Sequence, residues 1–158
     1  EEERQSRELE KTIRDLQSSM IRSGSAPVWT GGFVWPVNGR ITSPYGWRVH
    51  PILKERRFHS GLDIAVPTGT PVRAAAGGNV ILAGWINGYG HTVVIDHGGG
   101  LSTLYGHNSK LNTAAGKSVM QGDIISKAGS TGVSTGPHVH FEVRINGTAD
   151  DPMKRLPK

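Results

Sequence analysis

The 158-residue chain contains no cysteine. That absence rules out a disulfide framework and the thiolate ligands on which closed structural zinc sites usually rely. By itself it decides nothing about compartment. No apolar run is long enough to read as a membrane span or a signal-peptide core. Because the first residue is Glu1 rather than Met, the chain reads as a piece of a longer protein, with any targeting or anchoring segment upstream. The helical His-Glu-x-x-His pattern is also missing. The glycine-rich stretches Ala76-Gly77-Gly78 and Gly129 to Gly136 do not run into a helix as a phosphate-binding loop would, and they read instead as turns with positive φ. Histidine is absent from the first 49 residues, and glycine and proline from the first 22.

Those first 22 residues hold six acidic and five basic side chains, with Leu9, Ile13, Leu16 and Met20 spaced by four, three and four. This spacing predicts a helical arm with a coiled-coil seam over residues 1–22, the end of a longer helix. The alternative is a short amphipathic helix lying on its own domain. Composition changes at Ser23-Gly24-Ser25-Ala26-Pro27, a hinge opening a linker over 23–33. Beyond the arm come 13 basic and 7 acidic residues. Such a surplus suits a polyanion: nucleic acid, membrane or an anionic cell-wall polymer. Scattered Lys and Arg and the lack of a recognised binding motif set nucleic acid aside.

From Val34 onward, runs rich in β-branched and aromatic residues alternate with Gly, Pro and Asn. Eight strands are expected: 40–43, 62–66, 71–75, 79–86, 91–96, 101–107, 123–128 and 138–145. Tight hairpins are expected at Asn87-Gly88-Tyr89-Gly90 and Gly98-Gly99-Gly100. The implied fold is all-β and mostly antiparallel, one domain over 34–152 followed by a tail at 153–158.

All seven histidines fall between His50 and His140. In His138-Val139-His140-Phe141-Glu142-Val143, alternation puts both imidazoles and Glu142 on one face and Val139, Phe141 and Val143 on the other. His59 and Asp63, in Phe58-His59-Ser60-Gly61-Leu62-Asp63, can meet on one side in a helical turn or an extended stretch. Two imidazoles and one carboxylate make three protein ligands, the number used by catalytic zinc sites that keep a fourth position for water. This points to zinc hydrolase chemistry. The same ligand set holds iron(II) in oxygenases, but there the carboxylate follows the first His by two positions and the second His stands alone.

Several runs together resemble the lysostaphin-type, LytM-like zinc metallopeptidases. They are Ser43-Pro44-Tyr45-Gly46-Trp47-Arg48-Val49-His50-Pro51, Phe58 to Asp63, Pro67 to Val72, Leu104-Tyr105-Gly106-His107 and Gly129 to Glu142, in family order within residues 34–152. The resemblance implies an antiparallel domain with an open groove, one Zn²⁺, cleavage of peptide bonds in peptidoglycan, and a place in the cell envelope or outside the cell. It makes His59, Asp63 and His140 the zinc ligands and His107 and His138 the catalytic histidines. His138 is expected as general base and His107 as donor to the oxyanion or leaving amine, roles that could be exchanged. Tyr45, Trp47, His50, Tyr89, His97 and Tyr105 are candidates to line the groove or bind substrate, and Glu142 reads as an orienting or solvated carboxylate. Asn108, Val133 and His91 depart from the family pattern without touching a proposed ligand. Relatives that have lost their ligands activate cell-wall amidases, which leaves a scaffold as the rival reading, with a protein partner on the helix.

Overall fold

A computed structural model describes residues 2–22, 28–49 and 56–158. The hinge at 23–27 and His50 lie outside the described residues. Helix α1 spans Glu2–Arg22. The strands are β1 (Arg40–Ser43), β2 (Gly46–Val49), β3 (Arg56–His59), β4 (Leu62–Ala65), β5 (Pro71–Arg73), β6 (Gly78–Ile86), β7 (Gly90–Gly98), β8 (Leu101–Asn108), β9 (Lys110–Leu111), β10 (Ser118–Val119), β11 (Ile124–Lys127), β12 (His138–Ile145) and β13 (Thr148–Asp150). All eight expected strands are present, with β2, β3, β9, β10 and β13 in addition.

The main sheet runs β1-β4-β12-β8-β7-β6-β10, with β13 paired to β12. Its pairs are antiparallel, and the registers set His140 opposite Asp63 and, on the other side, opposite Gly106. A smaller sheet, β5-β11-β9, and the hairpin β2-β3 complete the fold.

Alternation in the central strands sorts side chains onto two faces. Val139, Phe141 and Val143 of β12, Val93 and Ile95 of β7 and Tyr105 of β8 join the main core with Val72, Ile125 and Ala128 of the small-sheet segments. Val94 and Leu104 point the opposite way and form a second cluster with Tyr89 and with Leu9 and Ile13 of α1. Strand β8 is therefore buried along its whole length. It has lost the hydrophobic-in, polar-out pattern of a half-solvated strand because both its faces are covered.

The apolar seam of α1 is thus occupied by the chain's own sheet. Coiled-coil character is not borne out, and the short helix lying on its own domain is what forms. The buried stripe also rotates away from the expected seam. Leu9, Ile13 and Gln17 are buried and Leu16 only partly so, because Gln17 Nε2 donates to Asp96 Oδ1 of β7 at 2.8 Å. Both flanks of the domain are tied in as well. Trp29 N donates to His97 O at 2.8 Å, Phe33 packs in the main core, and so does Leu156. Apolar side chains in the expected linker and tail find the core's edge, which composition alone does not reveal.

Candidate metal centre

His59 and Asp63 meet through an extended route rather than a helical turn. His59 ends β3 and Asp63 is the second residue of β4. Gly61 between them is required by close approach, since a Cβ there would stand 2.5 Å from Phe141 O and 3.0 Å from His140 Cε1. Only a residue without a side chain lets this segment lie against β12.

Asp63 is where the imidazoles converge. Its Oδ2 lies 3.3 Å from His59 Nε2, and its Oδ1 lies 2.8 Å from His140 Nδ1 and 3.6 Å from His138 Nε2. One ligand atom from each of His59, Asp63 and His140 can be chosen so that all lie within 4.8 Å of one another. In each ring one nitrogen is held by a neighbour outside the cluster and the other is turned toward Asp63. His59 Nδ1 donates to Pro44 O at 2.9 Å, which turns its Nε2 toward Asp63. On His140 it is Nε2 that sits 2.7 Å from Glu142 Oε2, which turns Nδ1 toward Asp63. Two imidazole nitrogens and a carboxylate brought together, with the nitrogens deprotonated as metal binding requires, form a donor set that fits zinc.

The two remaining histidines stand beside this group. The His107 and His138 ring centroids are 4.7 Å apart, and His107 is 5.9 Å from His140. His138 Nδ1 donates to Gly136 O at 2.8 Å and His107 Nδ1 to Thr131 O at 2.6 Å, leaving each Nε2 available. His107 has φ 62, a left-handed conformation uncommon for residues other than glycine. It falls where the β7–β8 register shifts between His91 and Val93, the kind of bulge that re-aims a side chain beside a site. Its amide donates to Tyr89 O at 2.7 Å, and the loop carrying Thr131 holds the ring from the other side.

Electrostatics follow from burial and these contacts. Burial opposes charge on Asp63, yet hydrogen bonds from His140 and His59 hold its carboxyl well below the usual range. Burial likewise disfavours a charged His140, but the bonds to Asp63 and Glu142 prevail and raise it to about 10. His107 has no such partner, and burial pushes it down to about 4. Glu142 is fully buried, and the Arg144 charge beside it, with His140, keeps it ionised against desolvation.

The candidate groove residues divide. Tyr105 is fully buried, donates to or accepts from Thr103 Oγ1 at 2.7 Å and takes the Ala75 amide at 2.9 Å. It is a core residue and not a groove wall. His97 is equally enclosed, its ring held between Gly77 O at 2.7 Å and Thr103 Oγ1 at 2.8 Å, and it contacts none of the site residues. Tyr89 is buried against the His140 ring, centroids 5.5 Å apart, so it backs the site instead of lining an opening. Tyr45 and Trp47 wall a groove of about 380 Å³ together with Phe58 and Glu3, Arg7 and Glu10 of α1, and none of the five clustered residues lines it. Sequence reasoning missed Thr131, Ser60 and Arg144. Arg144 could have been found by extending the β12 alternation one step past Glu142.

The family model of peptidase family M23 matches residues 57–152, the span that contains all five clustered residues. The chain is 50% identical over 125 residues to the DD-carboxypeptidase/endopeptidase Mpg of Neisseria meningitidis serogroup B, covering 78% of this chain and 29% of that protein. It is 36% identical to the murein hydrolase activator EnvC of Escherichia coli, covering 92% of this chain and 34% of that protein. The chain thus spans about a third of the length of these curated relatives. Among solved structures it is similar to a zinc-containing peptidase from Vibrio cholerae, with TM-score 0.74, 37% identity, and 80% of this chain and 41% of that one covered. The resemblance read from the motifs is borne out at the level of sequence and fold alike: this chain belongs to peptidase family M23.

Proposed function

We propose that this chain is a zinc-dependent endopeptidase that hydrolyses peptide bonds of bacterial peptidoglycan in the cell envelope. The observation that carries the reading is the convergence of His59, His138 and His140 on Asp63, whose side chain keeps 18% of its surface open to solvent. His59 through Nε2, His140 through Nδ1 and Asp63 through a carboxylate oxygen are the residues that would hold the metal. Zinc so held supplies a Lewis acid that lowers the pKa of a coordinated water to about 7 and polarises a carbonyl.

The rest of the chemistry falls to the chain's own side chains. His138 turns its Nε2 toward Asp63 and takes a proton from the attacking water, then returns it to the leaving amine. His107, kept neutral by burial, also offers a lone pair at Nε2, so it donates to the oxyanion only after gaining a proton. Of the groove candidates, Trp47 is more than half exposed beside Phe58 and supplies the aromatic surface on which an extended peptide can lie.

The similarity to EnvC, a murein hydrolase activator by name, favours a second reading in which the chain stimulates a separate amidase. Retention of three ligand-type residues and both flanking histidines supports the enzyme. Incubation with purified peptidoglycan separates the two. The enzyme releases new free amines without new reducing ends, because attack is on a carbonyl, whereas glycoside cleavage calls for a flanking carboxylate pair. Zinc-loaded protein that releases no amines alone yet accelerates an added amidase would establish the activator instead.

A further inference from the structure

Beyond His140, its face of β12 continues with Glu142 and Arg144, whose side chains are 0% and 1% exposed. Both Glu142 oxygens are engaged. Oε2 accepts from Ser60 Oγ at 2.6 Å and lies 2.7 Å from His140 Nε2, and Oε1 accepts from Arg144 Nε at 2.6 Å. The far end of Arg144 reaches helix α1, where Nη2 donates to Ser6 Oγ at 2.9 Å and Nη1 to Ser6 O at 3.4 Å, with Gly147 O at 2.7 Å as a further acceptor. Four residues thus form one continuous polar path from the helix to the imidazole that faces Asp63.

A buried ion pair is a poor way to stabilise a fold, since a well-packed apolar pair of similar volume does as well or better. Its geometry here does something an apolar pair cannot. A carboxylate at His140 Nε2 accepts only, so it keeps a proton on Nε2 and holds the ring with Nδ1 toward Asp63, the nitrogen that ligates once its own proton is displaced. That carboxylate is itself oriented by a guanidinium, whose planar fork is placed by the helix. The helix in turn is held in register by Leu9 and Ile13 against Val94 and Leu104, by Gln17 on Asp96 and by Arg14 Nε on Asn146 O at 2.8 Å.

We propose that docked helix α1 is part of the support of the metal centre: through Ser6 it places Arg144, Arg144 places Glu142, and Glu142 fixes His140, so that releasing the helix weakens metal binding although Ser6 itself bonds to Arg144 and not to a ligand. The inference rests on His59, Asp63 and His140 being metal ligands. Arg144, Glu142 and Ser6 are positioning residues within it.

The experiment measures zinc affinity of the 158-residue chain by competition with a chromogenic chelator, alongside ¹⁵N imidazole spectra of the metal-free protein. The variants are Arg144→Met, Arg144→Lys, Ser6→Ala and the helix-releasing pair Leu9→Ser with Ile13→Ser. Arg144→Met and the released helix are each expected to weaken zinc binding about 10–100-fold and to move the His140 ring signals, with Arg144→Lys partly restoring both. Ser6→Ala, on the partly exposed side of the helix, is expected to lose less, up to about tenfold. Should the larger changes not fold, Ser6→Ala decides alone. Wild-type protein that binds no zinc sinks the reading of the ligands. Tight wild-type binding that is unchanged in the released-helix or Ser6→Ala protein, with His140 signals unmoved, overturns this inference and leaves that reading standing.

Discussion

Strand β12 shows two kinds of specification back to back. On one face Val139, Phe141 and Val143 are buried in an apolar core, where volume and shape are what matter and similar side chains can substitute. On the other face His138, His140, Glu142 and Arg144 each meet a named polar partner. Replacing one member of such a polar chain by an apolar side chain leaves its partner with an unpaired donor or acceptor. The difference teaches that in this protein the fold and the site are written on opposite sides of the same eight residues. Damage to one face should be separable from damage to the other.

The sharpest test of that separation stays on the polar face. Asp63→Ala and His140→Ala are expected to abolish stoichiometric zinc binding and hydrolysis together. His138→Ala is expected to keep zinc and lose about 10²–10⁴-fold in turnover. Elemental analysis beside an amine-release assay checks both, and loss of metal from His138→Ala equal to that from His140→Ala would reverse the assignment within the pair.

Phe141→Ala asks the opposite question. Removing a ring that is fully buried and 5.4 Å from that of Tyr105 should lower stability by about 3–5 kcal/mol. Zinc bound per folded molecule should hold near the wild-type level. Denaturant unfolding followed with and without zinc measures the two quantities, and a loss of metal without a loss of stability would show that the faces are not independent.

The smallest expected effect is in pH dependence. Metal-free His140 is raised from its ordinary value near 6.5 to about 10, against burial, by Asp63 and Glu142. A group raised on folding stabilises the metal-free protein fully below its ordinary pKa, and that contribution is lost as pH rises through about 10. Over the same window zinc must displace the proton at Nδ1. Apparent zinc affinity should therefore rise by about tenfold per pH unit between roughly pH 7 and 9. A flat affinity profile over that range would place the metal away from His140.

Much of the site was legible before any coordinates. The period-two pattern in 138–143 put both imidazoles on one face, and the eight strands stand where β-branched runs lay between glycine turns. Tyr105 and His97 illustrate what pattern could not resolve. An aromatic or a histidine on a strand buried on both faces carries no signal in sequence that distinguishes it from a groove residue, because the covering layer comes from elsewhere in the chain. Tyr105 is capped by the Ala75 segment, whose amide donates to its hydroxyl, and His97 packs with Phe33, far upstream.

The sequence by itself determined eight of the thirteen described strands and the family, and it pointed to the histidine and carboxylate cluster, because these depend on local periodicity, on side-chain chemistry and on motif order. Only the tertiary structure decided where the amphipathic helix lies. Its seam of Leu9 and Ile13 is chemically the same whether it meets another helix or a sheet, and burial is non-directional. Only the fold, too, revealed that Glu142 and Arg144 join that helix to His140. Hydrogen bonds depend on distances of tenths of an ångström between residues as far apart in sequence as Ser6 and Arg144, and no local pattern encodes such a distance.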